Sequence, residues 1–576
     1  MREGLVARGA GRVNVPGEST PVPISSCFTP MPRRCSIPRF GSRCTYRPGN
    51  TAVGHAIGPV ATAPFATRRR AAPAPTHPRL PSRLRKRPLG SNAANAWASL
   101  LVSRHTMPAP THATAAPLTQ GPILRALLTL AVPIVLANLL QTGYQLVDAY
   151  WVGQLGANAV AAVAVSFPIN FLLVALGSGF SVAGSVLVAR HFGARNLPAV
   201  NHVVAQSLVL TLSLSVLLAV GAYFASPLLL RLIGVGPDIF AEADAFQRVL
   251  FLGLPLNFGF LMFQALMRGV GQVRLPLYIN MLALALNFLL DPLFIYGYGP
   301  LRGLGVAGAA LATVSTQALS VVLGFVVLLR GTSGLKLSFR GFRPDTELML
   351  RAFRLGAPSS VDLSARALGL SMMTILATGF GTTVLAAYGI GSRLLALGII
   401  PALGISLACS TLVAQNLGAL RPDRARQTAR YAIGTSFLGL LLVGAAVYAA
   451  AEPLVRFFLT GDETVVVEAV QFVRIAAFSL GFTGVQQSVS GFLRGTGNTL
   501  GAMLLTIIST WVLQFPIAWY LAIHTALGFR GLWWSFVVSN ALAATLALLW
   551  FLRGSWQQAD PLQPQADVEA LAEEAG

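Results

Sequence analysis

The feature that most constrains the fold of this chain is a series of apolar stretches, each long enough to cross a bilayer. Hydrophobic residues make up 54% of the sequence and charged residues only 11%, whereas a soluble protein carries about a quarter charged residues. We therefore predict an all-α polytopic membrane protein with twelve transmembrane helices. Windows of about 20 apolar residues place these spans at approximately 124–150, 159–184, 202–226, 246–267, 276–298, 305–330, 352–379, 383–413, 428–450, 467–490, 498–521 and 531–553.

The charges between the predicted spans are unevenly distributed. Segments after the even-numbered spans carry bases such as Arg190, Arg351 and Arg494. Segments after the odd-numbered spans are poorer in base and hold acids such as Asp238 and Glu463. Because basic loops stay on the cytoplasmic side of a membrane, the pattern predicts a multi-pass protein of the cell (inner) membrane with both termini in the cytoplasm.

Residues 1–118 form a basic tail, rich in Pro and Arg, that we expect to be disordered because it cannot build an apolar core. Its first 106 residues hold 17 of the 42 Arg and Lys residues and only two acids. The tail thus explains most of the net charge of +22, so nucleic acid is not an expected partner. The acidic C-terminal tail, residues 556–576, is also expected to be disordered.

Three interpretations of the basic tail remain open. Its composition suits a transit peptide, which is Arg-rich and poor in acids. It also suits a basic arm that contacts anionic lipid or nucleic acid. The third interpretation, which we favour, is that the tail is not part of the natural protein and that Met107 is the true start.

The apolar part of the chain repeats itself. Residues 185–194 align with residues 410–419, and the same offset aligns Pro133 with Pro358 without a gap. We call this the repeat offset. Matched loop motifs at one offset indicate an internal repeat. Because each half has six spans, both halves enter the membrane from the same side, and they should be related by an axis along the membrane normal.

The repeat also predicts the domain organisation. The N-lobe takes residues 119–330 and the C-lobe takes residues 355–555, with six helices in each. Residues 331–354, which are polar and basic, form the cytoplasmic linker between the lobes. A substrate would occupy the cavity between the lobes, and rocking of one lobe against the other would give alternating access.

Two acids lie inside predicted spans of the N-lobe, where a carboxylate is costly and usually functional. Asp148 lies in the first span, and Asn287 and Asp291 share one helix face in the fifth because they are four residues apart. Pro292 weakens the helix at the carbonyl one turn back. Two carboxylates in a low dielectric resist joint ionisation, so the pair is a candidate H⁺ acceptor or a set of oxygen ligands for Na⁺. The alternative interpretation of Asp291 and Pro292 is a helix-end turn.

Six short motifs follow one another along the predicted spans. They are Gln-Leu-Val-Asp-Ala-Tyr-Trp-Val-Gly at 145–153, Leu-Val-Ala at 187–189 with Gly-Ala at 193–194, Arg-Gly-Val-Gly at 268–271, Asn-Phe-Leu-Leu-Asp-Pro at 287–292, Gly-Ala-Ala-Leu-Ala-Thr at 308–313 and Val-Ala-Gln-Asn-Leu-Gly-Ala at 413–419. In this order and spacing, residues 120–555 resemble the multidrug and toxic compound extrusion (MATE) transporters. The resemblance implies a twelve-helix, two-lobe antiporter that exports mostly cationic, amphipathic compounds in exchange for inward Na⁺ or H⁺.

The same resemblance implies site residues. The N-lobe cation site of the family falls on Asp148, Asn287, Asp291 and Thr313 of this chain. Some branches of the family carry a glutamate in the seventh span, about eight residues past its proline, and here that position holds Arg366. The chain therefore resembles the branch that lacks this acid and couples through the N-lobe alone.

The predicted C-lobe spans carry further polar residues. Asp362 and Arg366 are four residues apart and can pair on one helix face, either as a structural ion pair or as a gate or counter-ion for substrate. Arg393 is predicted to be a third buried charge and an alternative partner for Asp362. Gln141 and Gln486 are expected either to line a cavity or to pack against another helix.

Other functions fit the sequence less well. The alternative function is that of a lipid-linked glycan exporter (a flippase) of the same broader superfamily, but only Arg366 and Arg393 are candidates for binding its pyrophosphate. An enzyme is not expected, because the sequence lacks HExxH, GxSxG and Walker lysine motifs. A one-sided acid site in two matched lobes argues against a channel.

We expect a monomer in the lipid bilayer, small organic cations and amphipathic drugs as substrates, and no cofactor or metal beyond the coupling H⁺ or Na⁺.

Overall fold

The computed structural model describes residues 118–299, 301–331, 334–459 and 462–554. The predicted basic tail up to residue 117, with Met107, and the predicted acidic tail at 556–576 lie outside the described residues. The helices before the linker are α1 (Ile123–Gly153), α2 (Ala157–Gly193), α3 (Leu197–Ile233), α4 (Pro237–Leu252), α5 (Leu254–Gly269), α6 (Arg274–Tyr296) and α7 (Val306–Arg330). A hairpin of β1 (Gly297–Tyr298) and β2 (Leu301–Arg302) joins α6 to α7.

The chain after the linker is also helical. A π-helical segment (Ile508–Gln514) joins α14 to α15 within one continuous span. The helices are α8 (Thr346–Thr378), α9 (Thr382–Gly418), α10 (Pro422–Ala449), α11 (Ala451–Phe458), α12 (Glu463–Ala477), α13 (Ser479–Gly495), α14 (Thr499–Ile507), α15 (Phe515–His524) and α16 (Arg530–Arg553).

The number of membrane spans agrees with the sequence. In the described part of the chain, ten helices are long and apolar enough to cross a membrane, with α14, the π-helical segment and α15 taken together. The pairs α4–α5 and α12–α13 bend by 46° and 47° at their breaks, and each pair counts as one further span. The twelve-span, all-α fold is therefore confirmed. Because α5 begins at Leu254 and α13 at Ser479, the bend recurs at the repeat offset.

Several helices begin earlier than predicted, and two of them have a clear local cause. α4 begins at Pro237 rather than near residue 246, because its polar first turns are helical although they fall outside an apolar window. α8 begins at Thr346, inside the predicted linker, because the Asp345 carboxylate accepts a hydrogen bond from the Leu348 amide at 2.9 Å and caps the helix. Partial burial alone would raise the pKa of Asp345, but this bond and a 3.0 Å contact with the His202 ring lower it below its usual value.

The helices pack as two groups of six spans. In the first group, α2 packs on α3, α4 and α5, while α6 packs on α1 and α7. In the second, α9 packs on α10, α12 and α13, and α13 packs on α16. The groups meet where α2 contacts α8 and α9 and where α1 contacts α9. We refer to the groups as the N-lobe and the C-lobe. The helices α1 and α8 each border the cleft between them.

One close approach of the lobes is a crossing of α2 and α9 that obeys the repeat. Gly193 lies against the backbone carbonyl of Gln415, and Gly418 lies against that of Arg190. A Cβ at either glycine would overlap the facing carbonyl oxygen. The repeat offset aligns Gly193 with Gly418 and Arg190 with Gln415. Each of the two contacts is therefore the repeat-related copy of the other. The local two-fold relation of the lobes therefore passes through this crossing.

The crossing lies on the face that carries the Arg-rich loops after α2 and α9, which we call the basic face. Toward this face, residues 179–190 of α2 and 408–416 of α9 are buried without interruption. The opposite halves of both helices are buried only intermittently. The lobes are therefore packed together at the basic face and less tightly toward the opposite face, and we call the space between them on that side the cleft.

We predict that Gly193→Ala and Gly418→Ala each destabilise this closed arrangement by about 1–3 kcal/mol, because the added methyl group cannot be placed without moving a backbone. The measurement is the thermal unfolding of the purified protein in detergent. Gly434→Ala is the matched control, since Gly434 lies inside α10 with no atom near its Cβ position. Removing a helical glycine favours the helix, so the control should melt at or above the parent Tm. Equal melting of all three variants would contradict the crossing.

Candidate functional site

The polar residues of the N-lobe converge from three helices. Asp148 lies on α1, Asn287 and Asp291 lie on α6, and Thr313 lies on α7. They meet because α6 packs between α1 and α7. The spacing of four residues between Asn287 and Asp291 places both side chains on the face of α6 that points into the lobe, where both are fully buried.

The four residues form two hydrogen-bonded pairs. The Asn287 Nδ2 donates to Asp291 Oδ1 at 3.0 Å, and the Thr313 hydroxyl donates to Asp148 Oδ2 at 3.3 Å. Asp148 also interacts with the Asp291 carboxyl group and the Asn287 amide. The structure thus brings the four residues named from the sequence into one cluster.

Several oxygens of this cluster lack a donor. Among the described residues, Asp148 Oδ1, Asn287 Oδ1 and Asp291 Oδ2 are buried and receive no hydrogen bond. An uncompensated buried carboxylate is strongly unfavourable, and two in one cluster repel each other. A proton shared between the acids, or a small cation ligated by the three oxygens, would remove this cost. The donor set of carboxylate and amide oxygens fits H⁺ or Na⁺.

The alternative interpretation of Asp291 and Pro292 as a helix-end turn is wrong. The helix α6 continues past Pro292 to Tyr296. The ring of Pro292 removes the hydrogen bond that a backbone amide would give to the Phe288 carbonyl. Helix interiors in membranes tolerate this when neighbouring helices pack around the site. The acid therefore lies within a continuous but weakened helix.

Two members of the cluster were missed from the sequence. The Tyr144 hydroxyl lies 2.6 Å from the Thr316 hydroxyl, and both residues neighbour the acids. Tyr144 precedes Asp148 by four residues on α1, and Thr316 follows Thr313 by three on α7. These spacings could have identified both residues from the sequence, because each lies one helical turn from a predicted site residue.

The C-lobe contains a second polar cluster, built from α8, α13 and α14. Asp362 is fully buried, and its Oδ1 accepts a hydrogen bond from Arg366 Nε at 3.1 Å. Its Oδ2 accepts one from the Arg494 guanidinium. The terminal nitrogens of Arg366 donate to Gln487 Oε1 and, at 2.6 Å, to Thr506 Oγ1. The predicted pairing of Asp362 with Arg366 is present, within a larger network.

The structure corrects two assignments in this lobe. Arg393 is exposed rather than buried, and the described ion pairs of Asp362 are with Arg366 and Arg494, so Arg393 is not its partner. Arg494, assigned from the sequence to a cytoplasmic loop, is buried in the last turn of α13. Hydropathy windows do not show on which face of a helix a residue lies or at which residue the helix ends. The incorrect assignments of Arg393 and Arg494 have these causes.

The two glutamines behave differently. Gln486 is buried and donates to the Ser509 hydroxyl at 2.6 Å, so it packs between α13 and the π-helical segment. Gln141 is exposed on α1, which borders the cleft. Of the two uses considered from the sequence, Gln486 therefore has the packing role, and the position of Gln141 agrees with lining a cavity.

We predict that Asp362→Asn destabilises the protein by about 3–5 kcal/mol, because the buried Arg494 and the half-buried Arg366 lose the carboxylate that they share. Thermal unfolding in detergent measures the effect. Glu452→Gln provides the control, since it removes an ion pair with Arg456 in which both side chains are about half exposed; such pairs contribute little, and its Tm should stay close to that of the parent. A parent-like Tm for Asp362→Asn would show that the cluster does not stabilise the fold.

Comparison with known proteins agrees with this architecture. The family model MatE matches residues 133–293 and 358–520, two segments whose first residues are the prolines that the repeat aligns. A relative in Bacillus subtilis (strain 168), described as "Probable multidrug resistance protein YoeA", is 30% identical over 429 residues, which cover 73% of this chain and 92% of the relative. "Probable multidrug resistance protein NorM" of Thermotoga maritima is 27% identical over 442 residues, covering 76% and 94%.

A solved structure shares the fold. It is described as "Outward-facing conformation of a multidrug resistance MATE family transporter of the MOP superfamily" and superposes with a TM-score of 0.73 at 27% sequence identity. The match covers 77% of this chain and 98% of that structure. Together with the twofold match of the family model across both lobes, these similarities show that the chain belongs to the MatE family of membrane transporters.

Proposed function

We propose that this chain is a secondary active efflux antiporter that exports amphipathic organic cations in exchange for H⁺ or Na⁺. The observation that carries the proposal is the cluster of the fully buried Asn287 and Asp291 with the half-buried Asp148 and Thr313, in which three buried oxygen atoms lack donors among the described residues. The names of the relatives, which describe multidrug resistance proteins, support small drug-like compounds as the substrate class. The coupling ion would need no further cofactor.

The cluster is placed so that ion binding can act on the cleft. Asp148 lies on α1, which contacts α6 of its own lobe and α9 of the other. On the α9 side, Gly404 lies against Val135 and Ala131 of α1. A cation that draws Asp148 and Asp291 together would shift α1 relative to α9, with Pro133 as a weak point in the helix. The ion would thereby favour one arrangement of the lobes over the other.

The closed basic face supports a direction for the proposed exchange. Basic loops face the cytoplasm as a rule, so closure at the basic face would correspond to a cleft that is open to the outside. In the proposed cycle, the ion loads from outside and favours substrate release, and the drug then binds to the inward-facing form. We further propose that the protein acts as a monomer in the inner membrane, with both termini in the cytoplasm.

Coupling is proposed to use the N-lobe alone. The position eight residues past Pro358, at which some branches of the family carry an acid, holds Arg366 in this chain. The C-lobe carboxylate Asp362 has both oxygens occupied by guanidinium donors. Its charge is therefore already balanced by cationic donors, whereas Asp148 and Asp291 each have an oxygen that receives no hydrogen bond from the described residues.

We predict that Asp148→Asn and Asp291→Asn each reduce ion-driven efflux at least about 10-fold. Each substitution removes one carboxylate from the ion site, and the loss of that charge should cost more than about 1.4 kcal/mol of ion-binding free energy, which corresponds to a factor of about 10. The assay is ethidium transport in everted membrane vesicles under an imposed pH gradient or an imposed Na⁺ gradient, and the effective gradient identifies the ion. The control is Asp238→Asn, an exposed acid in the first turn of α4, which should transport like the parent.

Parent-like efflux by both N-lobe variants, at equal amounts in the membrane, would contradict the site. Failure of either gradient to drive ethidium through the parent protein would contradict the antiporter itself. In that case the export of a lipid-linked glycan becomes the function to test, with a fluorescent pyrophosphate-linked lipid in the same vesicles.

A further inference from the structure

We propose that the Arg366 guanidinium binds an anionic group, such as a carboxylate, on compounds that occupy the cleft. The preferred substrates would then include zwitterions that carry one positive and one negative group, in addition to simple cations. The site defines a substrate class within the proposed export function and rests on that function for its role in transport. The binding step itself depends only on the geometry of the C-lobe cluster.

The first support is the charge of the cluster. One carboxylate, that of Asp362, faces two guanidinium groups, so a single positive charge remains uncompensated by the described residues. The two arginines differ in access to solvent, because the Arg494 side chain is 6% exposed and the Arg366 side chain 24% exposed. Arg494 therefore serves as the buried partner of Asp362, and Arg366 presents the excess charge.

The second support is the number of free donors. A guanidinium has five N–H groups, and Arg366 uses three of them, toward Asp362, Gln487 and Thr506. Each terminal nitrogen of Arg366 therefore retains one N–H. The two remaining N–H groups lie on different nitrogens of one planar guanidinium, and a carboxylate has an oxygen for each of them.

The third support is location. The Ser360 hydroxyl donates to the Leu176 carbonyl at 2.6 Å where α8 crosses α2 of the N-lobe. Arg366 lies six residues further along α8, about 9 Å of helix rise, in the direction away from the basic face. Beyond it, Leu370 and Thr374 are exposed. Arg366 therefore lies just past the point at which the lobes separate.

The fourth support comes from the repeat. At the repeat offset, Asp362 corresponds to Ala137 and Arg366 to Gln141, both on α1. The corresponding positions of the N-lobe therefore carry no charge, which shows that a lobe of this fold can form without the Asp362–Arg366 pair. The N-lobe instead holds its two acids, Asp148 and Asp291, in the cluster with Asn287 and Thr313. The excess positive charge presented by Arg366 therefore belongs to the C-lobe alone.

The local backbone also holds Arg366 in place. The π-helical segment Ile508–Gln514 begins two residues after Thr506, and its Trp511 indole donates to the Ala365 carbonyl at 3.2 Å. Segments of this kind occur often at functional sites. Because Gln487 and Thr506 orient the guanidinium before a ligand arrives, binding costs less conformational entropy.

The test compares rhodamine B, a zwitterion with one free carboxylate, with its ethyl ester, a cation with the same fluorophore. Fluorescence anisotropy with the purified parent protein should give a Kd for the zwitterion about 10-fold lower than for the ester, as expected for one charge-assisted hydrogen-bonded contact.

Arg366→Gln should abolish this preference and change the Kd for the ester less than about twofold. Arg366→Lys should keep part of it, because the charge remains without the planar pair of donors.

Arg354→Gln, which removes an exposed arginine from the first turns of the same helix, is the matched control and should bind both dyes like the parent. Equal affinity of the parent for the two dyes would overturn the proposal without any variant. A similar loss of affinity for both dyes in Arg366→Gln would also overturn it, because that result indicates a structural role.

Transport of the two dyes in vesicles separates this inference from the proposed function. If the binding preference is present but no gradient exports either dye, the antiporter proposal fails and the anion site stands. If the ester is exported and the parent shows no preference in binding, the antiporter stands and the anion site fails.

Discussion

The rest of the structure depends on the cost of holding unpaired carboxylates inside a membrane protein. Asp148 and Asp291 share one buried cluster, and an oxygen of each receives no hydrogen bond from the described residues. In a low dielectric this arrangement is unfavourable unless a proton or a small cation joins it. The cluster lies between α1, α6 and α7, and α1 also packs against the opposite lobe. Binding of an ion at this cluster can therefore affect the packing of α1 against the opposite lobe.

The two lobes share one scaffold and differ in their charges. The crossing of Gly193 and Gly418 with the facing backbones repeats with the sequence, and so does the bend between paired helices. The polar positions do not follow the repeat, because the N-lobe cluster holds two acids, each with an oxygen that lacks a donor among the described residues, and the C-lobe cluster holds one acid between two arginines. The repeat thus gives the lobes one framework, and a few side chains give them different chemistry.

Much of the fold followed from the sequence, because long apolar windows and an internal repeat that spans both lobes constrain the number and orientation of helices. The N-lobe cluster was also predictable, since Asn287 and Asp291 share a helix face and an intramembrane acid is rarely without a role. The faces of the C-lobe helices were not predictable. Hydropathy assigns Arg393 to the inside of a span and Arg494 to a loop, yet the first is exposed and the second is buried against Asp362. The packing of α9 and α13 on their neighbours decides which arginine is buried.

The central claim is that the acids of the N-lobe bind the coupling cation. Infrared difference spectroscopy of the purified protein tests it directly, because a protonated carboxyl group absorbs separately from a carboxylate. The account predicts a protonated carboxyl band in the parent that disappears when the pH is raised or Na⁺ is added, and that is absent in Asp291→Asn. An identical difference spectrum in the parent and in Asp291→Asn would contradict the claim, because the titrating group would then lie outside the cluster.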